Sequence, residues 1–176
     1  MIKYFVCQTN LFKTYIFLPN NWSGVTRKFF SWMINIKNIV FGVPNNPSLS
    51  KSILGPSRMF INITVTPLRQ GETEPTIDET HDYFEGFSYR QNLYEPSTST
   101  INVLSKDRFT AKYYRVNSRG AQLIKKYCLY DRGVEYLITT VLANVPREGE
   151  RPPETEVIEK ENIYDNIVRS FLVEGL

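Results

Sequence analysis

His81, the only histidine in the chain, stands among Asp78, Glu79, Asp82 and Glu85. On a helix, the i−3 and i+4 spacings would bring Asp78 and Glu85 onto its face. Such a cluster could hold a divalent cation or run acid/base chemistry, with the carboxylates raising the histidine pKa. A solvated acidic helix face with a surface histidine is the preferred reading. Other reactive material is scarce. Besides Cys7 and Cys128 there is no cysteine, and no CxxC, HxxxH or HExxH spacing occurs, which argues against a zinc site. A Cys7–Cys128 disulfide would require export, so two reduced, inert thiols are expected. There is no G-x-S-x-G elbow, and Gly42-Val-Pro-Asn-Asn-Pro47 and Gly55-Pro-Ser-Arg58 lack the glycine spacing and lysine of a phosphate loop. No enzyme, metal site or cofactor is expected.

Residues suited to binding are more plentiful. Lys112, Arg115, Arg119, Lys125 and Lys126 fall on two predicted strands around the turn Asn117-Ser-Arg-Gly120. If Asn117 and Gly120 close that turn as a pair, Lys112 lies opposite Lys125, which is unfavourable unless something anionic compensates. Docking to an acidic protein partner is one reading. With Tyr113, Tyr114 and Tyr127 interleaved, nucleic acid or another anionic ligand is the less favoured alternative. A solvated sheet edge guarded by lysines is the plainest reading. A second candidate is the aromatic stretch where Phe29, Phe30 and Trp32 stand beside Arg27 and Lys28. These could form a partner-binding or membrane-touching flap, although covering the sheet as core carries more weight.

The 176 residues hold 21 Lys+Arg against 18 Asp+Glu, and 41% are hydrophobic. That composition suits one domain spanning 1–176 with a sizeable core, neither disordered nor fibrous. Charge is segregated: residues 1–71 carry eight cations and no anion, 72–100 one and seven, 101–134 eight and two, 135–176 four and nine. Basic and acidic surfaces should therefore separate. Met1–Cys7 lacks the apolar stretch and cleavage site of an export signal, and the run 29–43 is too short and interrupted to span a bilayer. A soluble protein is expected, cytoplasmic by default, with an exported mature domain as the alternative.

The elements that must position these residues follow from periodicity. Thr14–Leu18 reads as an opening strand, closed by Pro19-Asn-Asn-Trp22, and an aromatic-rich excursion occupies 23–58. Met59–Thr66 alternates with period two, a clear strand. A helix is predicted over Ile77–Leu93, with Thr76 or Asp78 as its cap. Thr100–Leu104, Phe109–Asn117, Ala121–Tyr130 and Val134–Ala143 read as an antiparallel meander, the last of them central and covered on both faces. A proline-rich loop, 144–156, precedes a helix at Val157–Val173 with Gly175 beyond its end. Its apolar rows are Ile163, Ile167, Phe171 and Tyr164, Val168, Leu172. The fold class is α+β, an αβα sandwich on a twisted antiparallel sheet.

That order and four motifs resemble the PsbP/Mog-like superfamily. The motifs are Tyr15-Ile-Phe-Leu-Pro-Asn-Asn-Trp22, Ile61-Asn-Ile-Thr-Val-Thr-Pro67, Gly133-Val-Glu-Tyr-Leu-Ile-Thr-Thr140 and Tyr164-Asp-Asn-Ile-Val-Arg-Ser-Phe171. The superfamily includes PsbP subunits of photosystem two, the Ran-binding Mog protein and DcrB-like proteins, among them effector-associated secretion chaperones. The resemblance implies a non-catalytic accessory or adaptor protein that docks on a protein partner. Some members bind metals through His and carboxylates, a property not carried over to His81, which has no evident ligand set beyond Asp78 and Asp82. The chain departs from the pattern at 23–58, which is longer and more aromatic.

Overall fold

Alternating apolar and polar side chains drive most of the described residues into strands. The computed structural model describes residues 1–8, 12–28, 37–42, 59–80, 97–117, 120–145 and 151–175. Among these lie ten strands: β1 Ile2–Gln8, β2 Phe12–Leu18, β3 Ser23–Lys28, β4 Lys37–Gly42, β5 Phe60–Pro67, β6 Ser97–Val103, β7 Lys106–Asn117, β8 Gly120–Asp131, β9 Val134–Val145 and β10 Leu172–Gly175. The helix α1 runs from Glu154 to Arg169. Two sheets result, a three-stranded one in the order β1-β2-β10 and a seven-stranded one in the order β3-β4-β5-β9-β8-β7-β6. Every neighbouring pair is antiparallel.

β5 shows why the larger sheet has a dry face. Ile61, Ile63 and Val65 are buried in the main core while Asn62, Thr64 and Thr66 are half-buried on the other side. β9 lies at the middle of the sheet, between β5 and β8. Its Tyr136, Ile138 and Leu142 enter the main core, whereas Val141 and Leu137 join a second cluster on the opposite face with Phe109, Ala111, Tyr113, Ile124 and Cys128. The near-continuous apolar character read from 134–143 is thus the signature of a strand buried on both faces. At Leu123/Ile124 the register with β9 shifts by one residue, which turns both Leu142 and Ala143 toward the main core.

The helix is the link between the sheets. Its buried stripe, Val157, Tyr164, Ile167 and Val168, packs over β9 and β6 and reaches β2. The Tyr164 hydroxyl accepts the Phe60 N–H at 3.0 Å and lies 3.3 Å from the Val141 carbonyl, tying the helix to the sheet. Trp22 arrives from the three-stranded sheet through a turn closed by its N–H on the Pro19 carbonyl (3.0 Å) and stacks edge-on against Tyr164. One core cluster therefore runs from Val6 and Ile16 through the helix to Ile61 and Ile138.

Five elements differ from the expectations. The predicted helix at 157–173 ends at Arg169, because the Ser170 hydroxyl accepts the Phe17 N–H at 3.0 Å and turns the chain onto β2. Leu172–Gly175 then pairs with Tyr15 to Phe12, so Gly175 ends a strand and does not cap a helix. β1 forms over Ile2–Gln8, where the sequence predicts no element, and β3 and β4 form a hairpin within the 23–58 excursion. The helix predicted at 77–93 begins as expected: residues 77–80 are helical, and Thr76 with Glu79 makes a reciprocal capping box at 2.7 and 3.2 Å. Residues 81–93 lie outside the described residues. No helix among the described residues is long and apolar enough to cross a membrane.

Candidate functional site

The β7–β8 hairpin closes as its turn chemistry requires, with Asn117 opposite Gly120 and hence Lys112 opposite Lys125. Two ammoniums on neighbouring strands need an anion, and α1 supplies two. Glu161 and Asp165 are four residues apart, so they share a helix face. Lys125 Nζ donates to Glu161 Oε1 and to Asp165 Oδ1, each at 2.8 Å, and Lys112 Nζ donates to Glu161 Oε2 at 3.0 Å. The Tyr127 hydroxyl donates to Asp165 Oδ1 at 2.8 Å. Two cations and two anions thus neutralise each other between sheet and helix. Lys125 is only 4% exposed, and its charge is directed into the molecule.

The electrostatics follow from that burial. Desolvation pushes the Glu161 carboxyl up, but hydrogen bonds from Lys125 and Lys112 outweigh it and hold the group below the ordinary carboxylate value. Burial, reinforced by the charge on Asp165, pushes the Tyr127 hydroxyl far up, so it remains a donor. Both lysines are engaged by Glu161, Lys125 from the interior and Lys112 from a side chain that is 33% exposed.

The remaining basic residues are placed differently. Arg115 is exposed, and its Nη2 donates to Gln122 Oε1 at 2.7 Å, while Gln122 Nε2 donates to Asn144 Oδ1 at 2.9 Å. A polar ladder across β7, β8 and β9 therefore holds the guanidinium. Among the described residues no carboxylate pairs with Arg115. Lys126, half-buried on the face opposite α1, sits 5.5 Å from the centre of the Tyr113 ring. Arg119, Phe29, Phe30 and Trp32 lie outside the described residues, as do His81, Asp82 and Glu85. Of the acidic cluster, Glu79 is engaged by Thr76, whose N–H and hydroxyl lower its pKa. Among the described residues no group of three His, Cys, Asp or Glu side chains could hold a metal ion.

Two tyrosines expected to interleave with the basic residues are not surface rings. Tyr113 is 4% and Tyr127 0% exposed. The cysteines are buried, unpaired, and in separate clusters: Cys7 belongs to the main core and Cys128 to the far face of the larger sheet. Burial pushes the Cys128 thiol up to about 12, helped by Glu135 and opposed by Lys126. A small polar knot, absent from the sequence reading, joins the two sheets: Thr14 Oγ1 and the Tyr136 hydroxyl are 2.7 Å apart, and Cys7 Sγ is 3.6 Å from both. Arg108, 6% exposed, donates to the Tyr130 and Val103 carbonyls, and its enclosed Nη2 has no partner among the described residues.

No family model matches the chain, and no curated protein matches it in sequence. Among solved structures it is similar to that of cyanobacterial PsbP (CyanoP) from Synechocystis sp. PCC 6803, with a TM-score of 0.56 over 92% of this chain and 86% of that one. The fold is PsbP-like. At 13% identity the likeness concerns the fold alone. Within it, the quoted motifs sit at structural joints. Trp22 meets Tyr164, and Pro67 ends β5 against Val134. Ser170 and Phe171 close the helix against β2 and Tyr136.

Proposed function

We propose that this chain is a non-catalytic accessory protein, resembling PsbP-like or DcrB-like proteins, that docks on an acidic protein partner through the end of the β7–β8 hairpin. The observation that carries the reading is Arg115, an exposed guanidinium steadied by Gln122 and Asn144 and paired with no carboxylate among the described residues. Lys126 on the same hairpin is proposed to extend the basic surface, with Arg119 as a further contact, while Lys112 and Lys125 also bond the helix. Phe29, Phe30 and Trp32 are proposed as an apolar companion surface. A non-catalytic role is supported by the fate of the buried ionisable groups: Lys125, Tyr127, Tyr136 and Tyr164 are all engaged in bonds between elements. The main core cluster spans both sheets, which supports one domain over 1–176.

A protein partner is favoured over nucleic acid because base stacking needs aromatic faces at the surface, and Tyr113 and Tyr127 are buried. The test is cross-linked affinity capture from the native source with the wild type and with Arg115→Glu. A partner recovered by the wild type should fall at least about tenfold in the variant and weaken with added salt. The variant's melting temperature should hold, since exposed substitutions rarely move stability by more than about 0.5 kcal/mol. Equal recovery by both proteins would refute the assignment.

A further inference from the structure

Among the described residues four strands form the edges of the two sheets: β1 and β10 in the smaller, β3 and β6 in the larger. Exposed edges invite pairing with other chains, and proteins blunt them with charges, prolines, bulges or brevity. Three of the four are blunted here. β1 carries Lys3 and a register shift between Phe5 and Cys7. β10 has four residues, and β3 contains Arg27 and Lys28. β6, Ser97-Thr-Ser-Thr-Ile-Asn-Val103, has seven residues, no charge, no proline and no bulge against β7.

Its free side can be read from the turn. Leu104 and Ser105, with φ of 55° and 60°, make a two-residue hairpin loop between β6 and β7. In such a hairpin the flanking residues form a hydrogen-bonded pair, here Val103 with Lys106. Alternation then directs the backbone of Ile101, Ser99 and Ser97 toward β7. The side-chain bonds agree, since Arg108 Nε and Thr110 Oγ1 on β7 reach the carbonyls of Val103 and Ser99. The N–H and C=O groups of Thr98, Thr100 and Asn102 therefore point away from the sheet, and all three residues are exposed.

We propose that β6 is a self-pairing edge through which two copies of this chain associate antiparallel, about a two-fold axis at Thr100. The outward residues are centred on Thr100, so the axis sets Thr100 opposite itself and Thr98 opposite Asn102. Every outward donor then meets an acceptor. The strand carries no charge, so two copies approach without repulsion, and the facing Thr–Thr and Thr–Asn side chains suit cross-strand contact. The result is a continuous sheet through both molecules, closed by the two-fold axis so that no edge of the pair remains at β6. A contact of one short strand buries less than the roughly 1,000 Å² of a stable interface, so the association is weak.

The test is sedimentation equilibrium of the full chain from about 10 μM to about 1 mM, a range that captures weak affinities. The wild type should move from monomer toward dimer mass. Thr100→Pro removes the outward N–H but none of the bonds to β7, a substitution edge strands accommodate. It should stay monomeric throughout with an unchanged urea midpoint. Should that variant fail to fold, Thr100→Lys decides. It sets two ammoniums across the axis and should weaken the dimer at least about tenfold at low salt, with recovery near 1 M salt where screening is short-ranged. A wild type monomeric at the highest concentration overturns the proposal, as does a dimer that survives both substitutions. A monomer that instead takes an extended segment of a different protein at β6 overturns self-pairing as well.

Discussion

Lys125→Met is the sharpest test of how helix and sheet are held together. Methionine keeps the aliphatic stem and removes only the ammonium that bonds Glu161 and Asp165 at 2.8 Å. Unit charges about 4 Å apart interact by about 4 kcal/mol at an effective dielectric of 20. Stripping one partner from a buried pair costs about 3–5 kcal/mol. Two features reduce that here. The side chains of Glu161 and Asp165 are 21% and 17% exposed, and Lys112 still serves Glu161. The expected loss is about 2–3 kcal/mol, roughly a 30- to 150-fold fall in the folding constant. Lys112→Met is the internal control. Its side chain is 33% exposed, so about 0.5–1 kcal/mol is expected. Urea unfolding at pH 7 measures both. The pH dependence gives an independent check. Glu161 has its folded-state pKa lowered, so its contribution is complete above the ordinary carboxylate range and fades as pH falls through the lower folded value. In Lys125→Met the Glu161 carboxylate loses its main cation, and its protonation relieves the loss. The variant's deficit should shrink below about pH 4. A deficit under about 1 kcal/mol at pH 7, or one equal at pH 7 and pH 3.5, would refute the latch.

Two further outcomes follow from backbone and burial. Ser105 has φ of 60°, a region that costs an L-residue about 1–2 kcal/mol, whereas glycine adopts it freely at an entropic cost of about 0.5–1 kcal/mol. Ser105→Gly should therefore raise stability by about 0.5–1 kcal/mol in urea unfolding, and a loss would show that the turn is held by its side chain. Cys7 and Cys128 are 7% and 4% exposed, and the Cys128 thiol is pushed up to about 12. At pH 8 the folded chain should resist a thiol-reactive chromophore for hours and react at both cysteines once unfolded. Stoichiometric labelling of the native protein within minutes would contradict that placement.

The legible parts of this fold are those where local pattern and final environment agree. β5 alternates because one face is dry. β9 is continuously apolar because both faces are covered, and Thr76-x-x-Glu79 announces a helix start that the capping box makes. The facing of Lys112 and Lys125 was readable from a single turn pair. The illegible parts are those where tertiary contact overrides pattern. Leu172 continues the helical row of Tyr164 and Val168, yet it belongs to a strand because the Ser170 hydroxyl is engaged by Phe17. β1 shows no clean alternation because the shift at Phe5/Cys7 changes parity midway and buries Val6 and Cys7 together. The polar knot of Cys7, Thr14 and Tyr136 joins residues more than 120 positions apart, and no spacing rule reaches that far.

Charge segregation along the chain takes on a different meaning once the helix is in place. The basic block at 101–134 and the acidic block at 135–176 were expected to form separate surfaces. Instead they meet: the inward carboxylates of α1 consume Lys112 and Lys125, while Glu154, Glu156 and Glu159 remain exposed along the helix. The two blocks thus serve first to align a helix on a sheet. A buried polar contact of this kind aligns them more specifically than apolar packing, because only one rotation of α1 sets Glu161 and Asp165 over the lysines. Under the proposed docking, what is left for an external partner is narrower than the block count suggests and centres on the Arg115 end of the hairpin. A partner that needed Lys125 would have to lift α1 from the sheet. If docking through Arg115 is correct, binding and helix attachment are separable: Arg115→Glu should lose the partner and keep the fold, while Lys125→Met should lose stability.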